Sequence, residues 1–254
     1  MVSRKVIRKI VSCIVMTLIL IIMLFPIYWL VSSSFKRKVD IISPTPKFIF
    51  TPTLSNYLEV LSRAKFLQSL INSLIVSFVS LLIGMVLGIL AAYVLSRFDF
   101  KHKGDVSFFI LSMRFLPPVA VVIPYYSIWT RLKLYDTYIA LIITYLLICL
   151  PITILLMTEN FKNVPIELEE AAMLDGCSRL QAFYKITLPN AISTIISVGI
   201  FAFIMLWNEF FIAFLLTQHN LTLPVMVAAF ATIGAEIPWA EVCALSLIHI
   251  SEPT

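Results

Sequence analysis

Within a mostly apolar chain, residues 169–189 read EEAAMLDGCSRLQAFYKITLP and carry three acids, two bases, a glycine and a closing proline. Charge at this density serves either docking to a soluble surface or contact with lipid headgroups. Two further ionisable groups fall inside apolar runs. Glu209 sits in Trp207-Asn208-Glu209-Phe210, and Arg114 precedes Pro117-Pro118. An ionisable residue in such a run usually faces protein or water. With Asn72, Tyr125, Tyr126 and Asn208, these two could line a wet path. Alternatively, Glu209 and Arg114 satisfy backbone and neighbours within a bundle.

Other chemistry is poorly served. His102, His219 and His249 lie far apart in sequence, so no cluster suggests a membrane-embedded enzyme. Cys13, Cys149, Cys177 and Cys243 show no C-x-x-C spacing and read as small hydrophobes. The six glycines supply no G-x-x-x-x-G-K-[ST] phosphate cradle, so the chain is not expected to bind ATP. No catalytic residue and no metal site is predicted.

The elements that must position these groups are set by lipid. Of 254 residues, 60% are hydrophobic and 13% charged, with a mean hydropathy of +0.99. Soluble domains hold about 45–50% apolar and about 25% charged residues, so the solvent here is a bilayer. The net charge of +5 is scattered between apolar blocks and forms no basic patch, which argues against nucleic acid.

A helix crossing the hydrocarbon core needs about 20 apolar residues. Five runs qualify: Ile10–Val31, Leu67–Leu95, Val106–Trp129, Thr137–Thr158 and Ala191–Leu216. A sixth, from Trp239 to Ile250, is too short to span. The first exceeds the roughly 7–15 apolar residues of a signal core and is read as a retained helix. Arg4, Lys5, Arg8 and Lys9 precede it and favour a cytoplasmic N-terminus. Residues 36–66 and 217–238 are then external, each with a short helix, the second dipping back into the protein. The segment at 165–189 falls in the cytoplasm. Gly84 and Gly88 form a G-x-x-x-G step suited to close helix packing, and Pro117-Pro118 predict a bend.

That cytoplasmic segment parses as two short helices. Pro165 suits a first turn, with Glu167, Glu169 and Glu170 at the positive end of the dipole. Gly176 supplies the left-handed stop, and Ser178 caps a second helix that Pro189 closes. Ala171 and Ala172 would give the first helix a smooth face. A hairpin resting on headgroups would favour bases, whereas this helix is acidic, which leans towards a protein partner.

Glu170-Ala171-Ala172, Asp175-Gly176, then Ile186, Leu188 and Pro189 resemble the EAA loop of ABC-importer permeases, E-A-A, two residues, D-G-A, eight residues, I-x-L-P. The match fails only at Cys177, where alanine is usual. Residues 72–104, 114–126, 134–145 and 207–217 are similar to carbohydrate permeases of the maltose-permease type. The resemblance implies an all-α polytopic membrane bundle of the six-span MetI-like kind, its sixth span apparently truncated. It implies a permease domain over 1–246, with a core at about 67–246 and an ATPase-coupling loop at 165–189. It further implies a sugar importer of the cytoplasmic membrane, with a second homologous permease, two ATPase subunits that use the ATP, and an external solute-binding protein. A polyamine or amino acid importer is the alternative, and a passive channel fits the loop less well. Residues 247–254 depart from the family and read as a foreign tail.

Overall fold

The computed structural model describes residues 4–232 and 238–249. In chain order the helices are α1 (Arg4–Ser34), α2 (Lys38–Ile41), α3 (Ser55–Ser62), α4 (Ala64–Arg97), α5 (Lys103–Ser112), α6 (Pro118–Arg131) and α7 (Tyr138–Asn163). They continue as α8 (Ile166–Leu174), α9 (Arg179–Ala182), α10 (Leu188–Asn190), α11 (Ile192–Trp207), α12 (Phe211–Leu216), α13 (Leu223–Thr232) and α14 (Trp239–His249). Among the described residues there is no strand. Such an all-helical chain satisfies its backbone internally, as lipid requires.

Three helices are long and apolar enough to cross a membrane alone: α1, α4 and α7. They cover the first, second and fourth of the predicted runs. The third run is a broken pair, with Lys103–Phe115 and Pro118–Arg131 bent by 96°. Pro117 and Pro118 sit at the break, since neither can donate a helical N–H. The fifth run corrects the expectation of one continuous span. α11 ends at Trp207, residues 208–210 leave the helix, and α12 resumes at Phe211. Ahead of it, Arg179–Asn190 meets Ile192–Trp207 at 73°. The sixth run is a short helix, as its length predicted, and holds Leu247–His249. Residues 250–254 of the suspected tail lie outside the described residues.

The chain divides into two units, residues 1–67 with 226–254, and residues 68–225. In the first, Asn56 donates its amide to the carbonyls of Ser34 and Lys36 at 2.7 and 2.9 Å, tying α3 to the end of α1. Lys36 is buried, its ammonium 4.1 Å from the Trp29 ring centroid, a cation–π contact that offsets desolvation. Arg63 bonds Glu241 of α14 at 2.9 Å. Met16 and Ile22 of α1 are each 70% exposed. A surface this apolar needs lipid or another membrane chain against it.

In the second unit, α4, α7, α11 and α12 surround a core that includes Val76, Leu141, Tyr145, Cys149, Leu206 and Leu216. A Cβ at Gly84 would stand 2.5 Å from Cys149 Sγ, and one at Gly88 would stand 2.8 Å from Thr153 Cβ. The G-x-x-x-G step therefore lets α4 lie directly on α7. A second cluster of Ala92, Tyr93, Met157, Phe161, Phe183 and Val198 fills the end of the unit beneath residues 165–190.

Candidate functional site: the coupling hairpin

Residues 165–190 form the hairpin that local signals prescribe. Pro165 is the N-cap, with φ −55° and ψ 129°, one residue earlier than a first-turn position, and α8 follows it. Asp175 closes the helix. The N–H of Gly176 then bonds Met173 O at 3.1 Å, and that of Cys177 bonds Ala172 O at 3.0 Å. This bond pair is a Schellman stop, which requires a left-handed residue beyond the cap. Gly176 supplies it, with φ +92°. Ser178 and Gln181 then form a complete capping box at the start of α9. Residues 183–187 widen into a π turn before α10.

The motif residues divide by exposure. Glu170, Ala171, Asp175, Gly176 and Pro189 are exposed, Ile186 and Leu188 are half-buried, and Ala172 is buried. Ala171 and Ala172 therefore do not share one smooth outer face, because consecutive helical residues point about 100° apart. The outward surface carries Leu174 at 89% exposure, with Leu180 and Tyr184 also exposed. Apolar side chains among exposed acids on a tight turn suit a protein cleft better than bulk water.

Sequence reasoning overlooked Glu169 as distinct from its neighbour Glu170. Glu169 is buried and receives three side-chain donors. Tyr93 Oη donates to Oε2 at 2.8 Å, while Arg97 Nε and Thr187 Oγ1 both donate to Oε1 at 2.7 Å. Arg97 also donates through Nη2 to Val164 O at 2.8 Å. Burial raises the Glu169 pKa, but the bonds from Thr187, Tyr93 and Arg97 and the Arg97 charge outweigh it, and the carboxyl titrates below its ordinary range. The available signal was the pairing of Arg97, closing α4, with an acid in the first turn of α8, two features far apart in sequence. Around this hub, Tyr93 lies 4.4 Å from the Phe183 ring and 6.1 Å from Phe161.

The predicted path residues are held by different partners. Asn72 is completely buried. Its Oδ1 accepts from Tyr138 Oη at 2.7 Å and Gln68 Nε2 at 2.9 Å, and its Nδ2 donates to Leu221 O at 2.9 Å. These bonds brace the start of α4. Glu209 Oε1 accepts the N–H of Ile212 at 2.8 Å at the start of α12. That bond satisfies one donor freed by the helix break. Beside it, Asn208 Oδ1 is buried without a partner. Arg114 is exposed in the bend between α5 and α6, with Nη1 3.9 Å from Met205 Sδ. Tyr125 packs towards Trp129, and Tyr126 is exposed and edge-on to Tyr135.

Among the described residues no cluster of three or more His, Cys, Asp or Glu could hold a metal. What is assembled here is a polar hairpin anchored through Glu169 and Arg97 to the end of a long apolar helix.

Inner membrane ABC transporter permease protein YcjP of Escherichia coli K12 is 37% identical over 239 residues, covering 92% of this chain and 85% of that protein. Trehalose/maltose transport system permease protein MalG of Thermococcus litoralis is 33% identical over 248 residues, covering 96% and 89%. A chain of a solved bacterial ABC transporter involved in importing the acidic polysaccharide alginate shares the fold, with TM-score 0.80, 22% identity, and coverage of 99% and 94%. Residues 84–251, which contain the hairpin, its anchor and the broken fifth span, match the model for the inner membrane component of binding-protein-dependent transport systems, and this chain belongs to that family.

Proposed function

We propose that this chain is the membrane-spanning subunit of an importer that carries a sugar or oligosaccharide inward, driven by a separate ATPase that docks on the hairpin. The observation that carries the reading is the hairpin itself: exposed Glu170, Ala171, Asp175 and Leu174, turned by the left-handed stop at Gly176. The sugar is supported by likeness to the trehalose/maltose permease along nearly the whole chain. In this reading a second, homologous permease completes the pathway, two ATPase subunits supply ATP, and an external solute-binding protein delivers the substrate. The chain itself binds no nucleotide, and its N-terminus is cytoplasmic, consistent with the bases that lead α1.

Alternating access would then arise from rigid-body movement of helices, a device common to transporters. The test is reconstitution with the partner permease, ATPase and binding protein in proteoliposomes. ATP-dependent accumulation of labelled trehalose or maltose is expected, with none of putrescine or glutamine. Accumulation of an amine or amino acid instead would overturn the sugar, and ATP-independent uptake would overturn the importer.

A further inference from the structure

The hairpin is joined to the spans by its chain ends and by side chains, and the two connections differ in stiffness. At its entry, Val164 leaves the helix with φ −78° and ψ 120° before Pro165. At its exit, Ala191 has φ −97° and ψ 2°, where the chain turns by 73° into α11. Both covalent joints therefore sit at helix breaks, where no ladder of helical bonds carries torque across. The side-chain connection is different. Arg97 and Glu169 are 5% and 4% exposed, in contact at 2.7 Å. The same guanidinium also holds Val164 O, the carbonyl at the entry joint. Thr187 closes the arrangement from the second arm of the hairpin. One cation thus fixes α8, the entry joint and, through the shared carboxylate, residue 187.

Arg97 is the last residue of α4, which runs without a break back to Ala64. Gly84 and Gly88 seat this helix directly against the Cys149 and Thr153 side chains of α7. Near its other end, Asn72 is bonded to Tyr138 and Leu221, and Ser73 Oγ accepts the N–H of Leu223 at 2.7 Å. The 25-residue separation of Asn72 and Arg97 corresponds to about 37 Å of helix at about 1.5 Å per residue. A stiff rod therefore connects two polar hubs at opposite ends of the second unit.

We propose that Arg97 and Glu169 are positioning residues forming the joint through which the docked hairpin drives α4, and that α4 delivers the movement to residues 221–223 beside Asn72. This rests on the hairpin being the ATPase dock. Glu169 lies behind the docking face, so its loss separates docking from transmission: the ATPase still binds and hydrolyses ATP, while substrate transfer per ATP falls. A purely structural pair would lower assembly, hydrolysis and uptake together.

The experiment uses the complete reconstituted transporter and compares wild type with Glu169→Gln and Arg97→Lys. Three quantities are read: ATPase subunit recovered with the tagged permease, ATP hydrolysed, and labelled trehalose or maltose accumulated. Glu169→Gln keeps the shape and removes the charge. Arg97→Lys keeps the charge but cannot reach Val164 O and Glu169 with one planar fork. Wild-type recovery and hydrolysis with uptake per ATP reduced about tenfold is expected, within the range of typical coupling energies. Unchanged uptake per ATP in either recovered variant overturns the proposal, as does a parallel fall of recovery and uptake. If Glu169→Gln is not recovered from the membrane, Arg97→Lys decides. Failure of the underlying function reading would show in the wild type, as no ATPase recovery or no ATP-driven uptake before any variant is compared.

Discussion

Substituting Gly176 tests whether the bend of the hairpin sets its docking. Gly176 has φ +92°, and a Cβ placed there would meet nothing within 4 Å. The cost of a side chain is therefore in the backbone and not in packing. An L-residue held in the left-handed region costs roughly 1–2 kcal/mol, with Asn the least strained. A β-branched residue is a stronger outlier there. Gly176→Val escapes that cost only by giving up the two Schellman bonds from Gly176 and Cys177, each worth about 0.5–1.5 kcal/mol. The two routes cost about 1–2 and about 1–3 kcal/mol, and a loss of about 1–2 kcal/mol by the cheaper one lowers the population of the docking-competent shape by a factor of about 5–30. Capture of the ATPase subunit on tagged permease, titrated in ATPase concentration, should shift its midpoint by that factor. Gly176→Asn should shift it least and Gly176→Ala to an intermediate degree, while membrane insertion stays normal because no span is touched. An unshifted midpoint for Gly176→Val, with full transport, would refute the claim that this bend positions the dock.

Glu169→Ala leaves Arg97 buried without its counter-charge and is expected to cost about 3–5 kcal/mol, read as a lowered melting temperature in detergent. Because the folded Glu169 pKa lies below its ordinary value, its contribution is complete above the usual carboxylate pKa of about 4.3 and is lost as pH falls through the lower folded value. The acid limb of the melting profile should accordingly flatten in Glu169→Gln, and an unaltered limb would rule out this linkage. Gly84→Ala places a methyl 2.5 Å from Cys149 Sγ and should lower thermal stability by about 1–3 kcal/mol through overpacking. Pairing it with Cys149→Ala should recover much of the loss; no recovery would place the strain elsewhere. Glu209→Gln retains an acceptor for the Ile212 N–H and should be nearly neutral in stability, whereas Glu209→Ala should cost about 0.5–2 kcal/mol as a lost helix cap. A change of transport with unchanged stability in both would place Glu209 on the pathway.

Local rules made much of the chain legible from its residues. Long apolar runs dictate membrane helices, because lipid leaves the backbone no other partner. Pro117-Pro118 dictated a bend, and Ser178 and Gly176 dictated the cap and stop of the hairpin, since each acts within one helical turn of itself. The spacing from Glu170 to Pro189 carried the resemblance to the EAA loop before any fold was known. Tertiary structure alone decided which of two adjacent acids was structural. Glu169 and Glu170 are equivalent to any local rule, and only the arrival of Arg97, Tyr93 and Thr187 from elsewhere in the chain buries one and leaves the other outside. The break at Asn208 escaped notice for the same reason: residues 191–216 are apolar enough for one helix, but Tyr145 Oη takes the carbonyl of Glu209 at 3.2 Å and the Glu209 carboxylate takes a freed N–H. Asn72 is polar within an apolar run, and only the packed helices bring Tyr138 and Leu221 to its amide. A sequence specifies which groups need partners. Which partner comes, and so whether a polar residue braces the bundle or faces outward, depends on contacts 66–149 residues away, as at Asn72, and those form only when the helices pack.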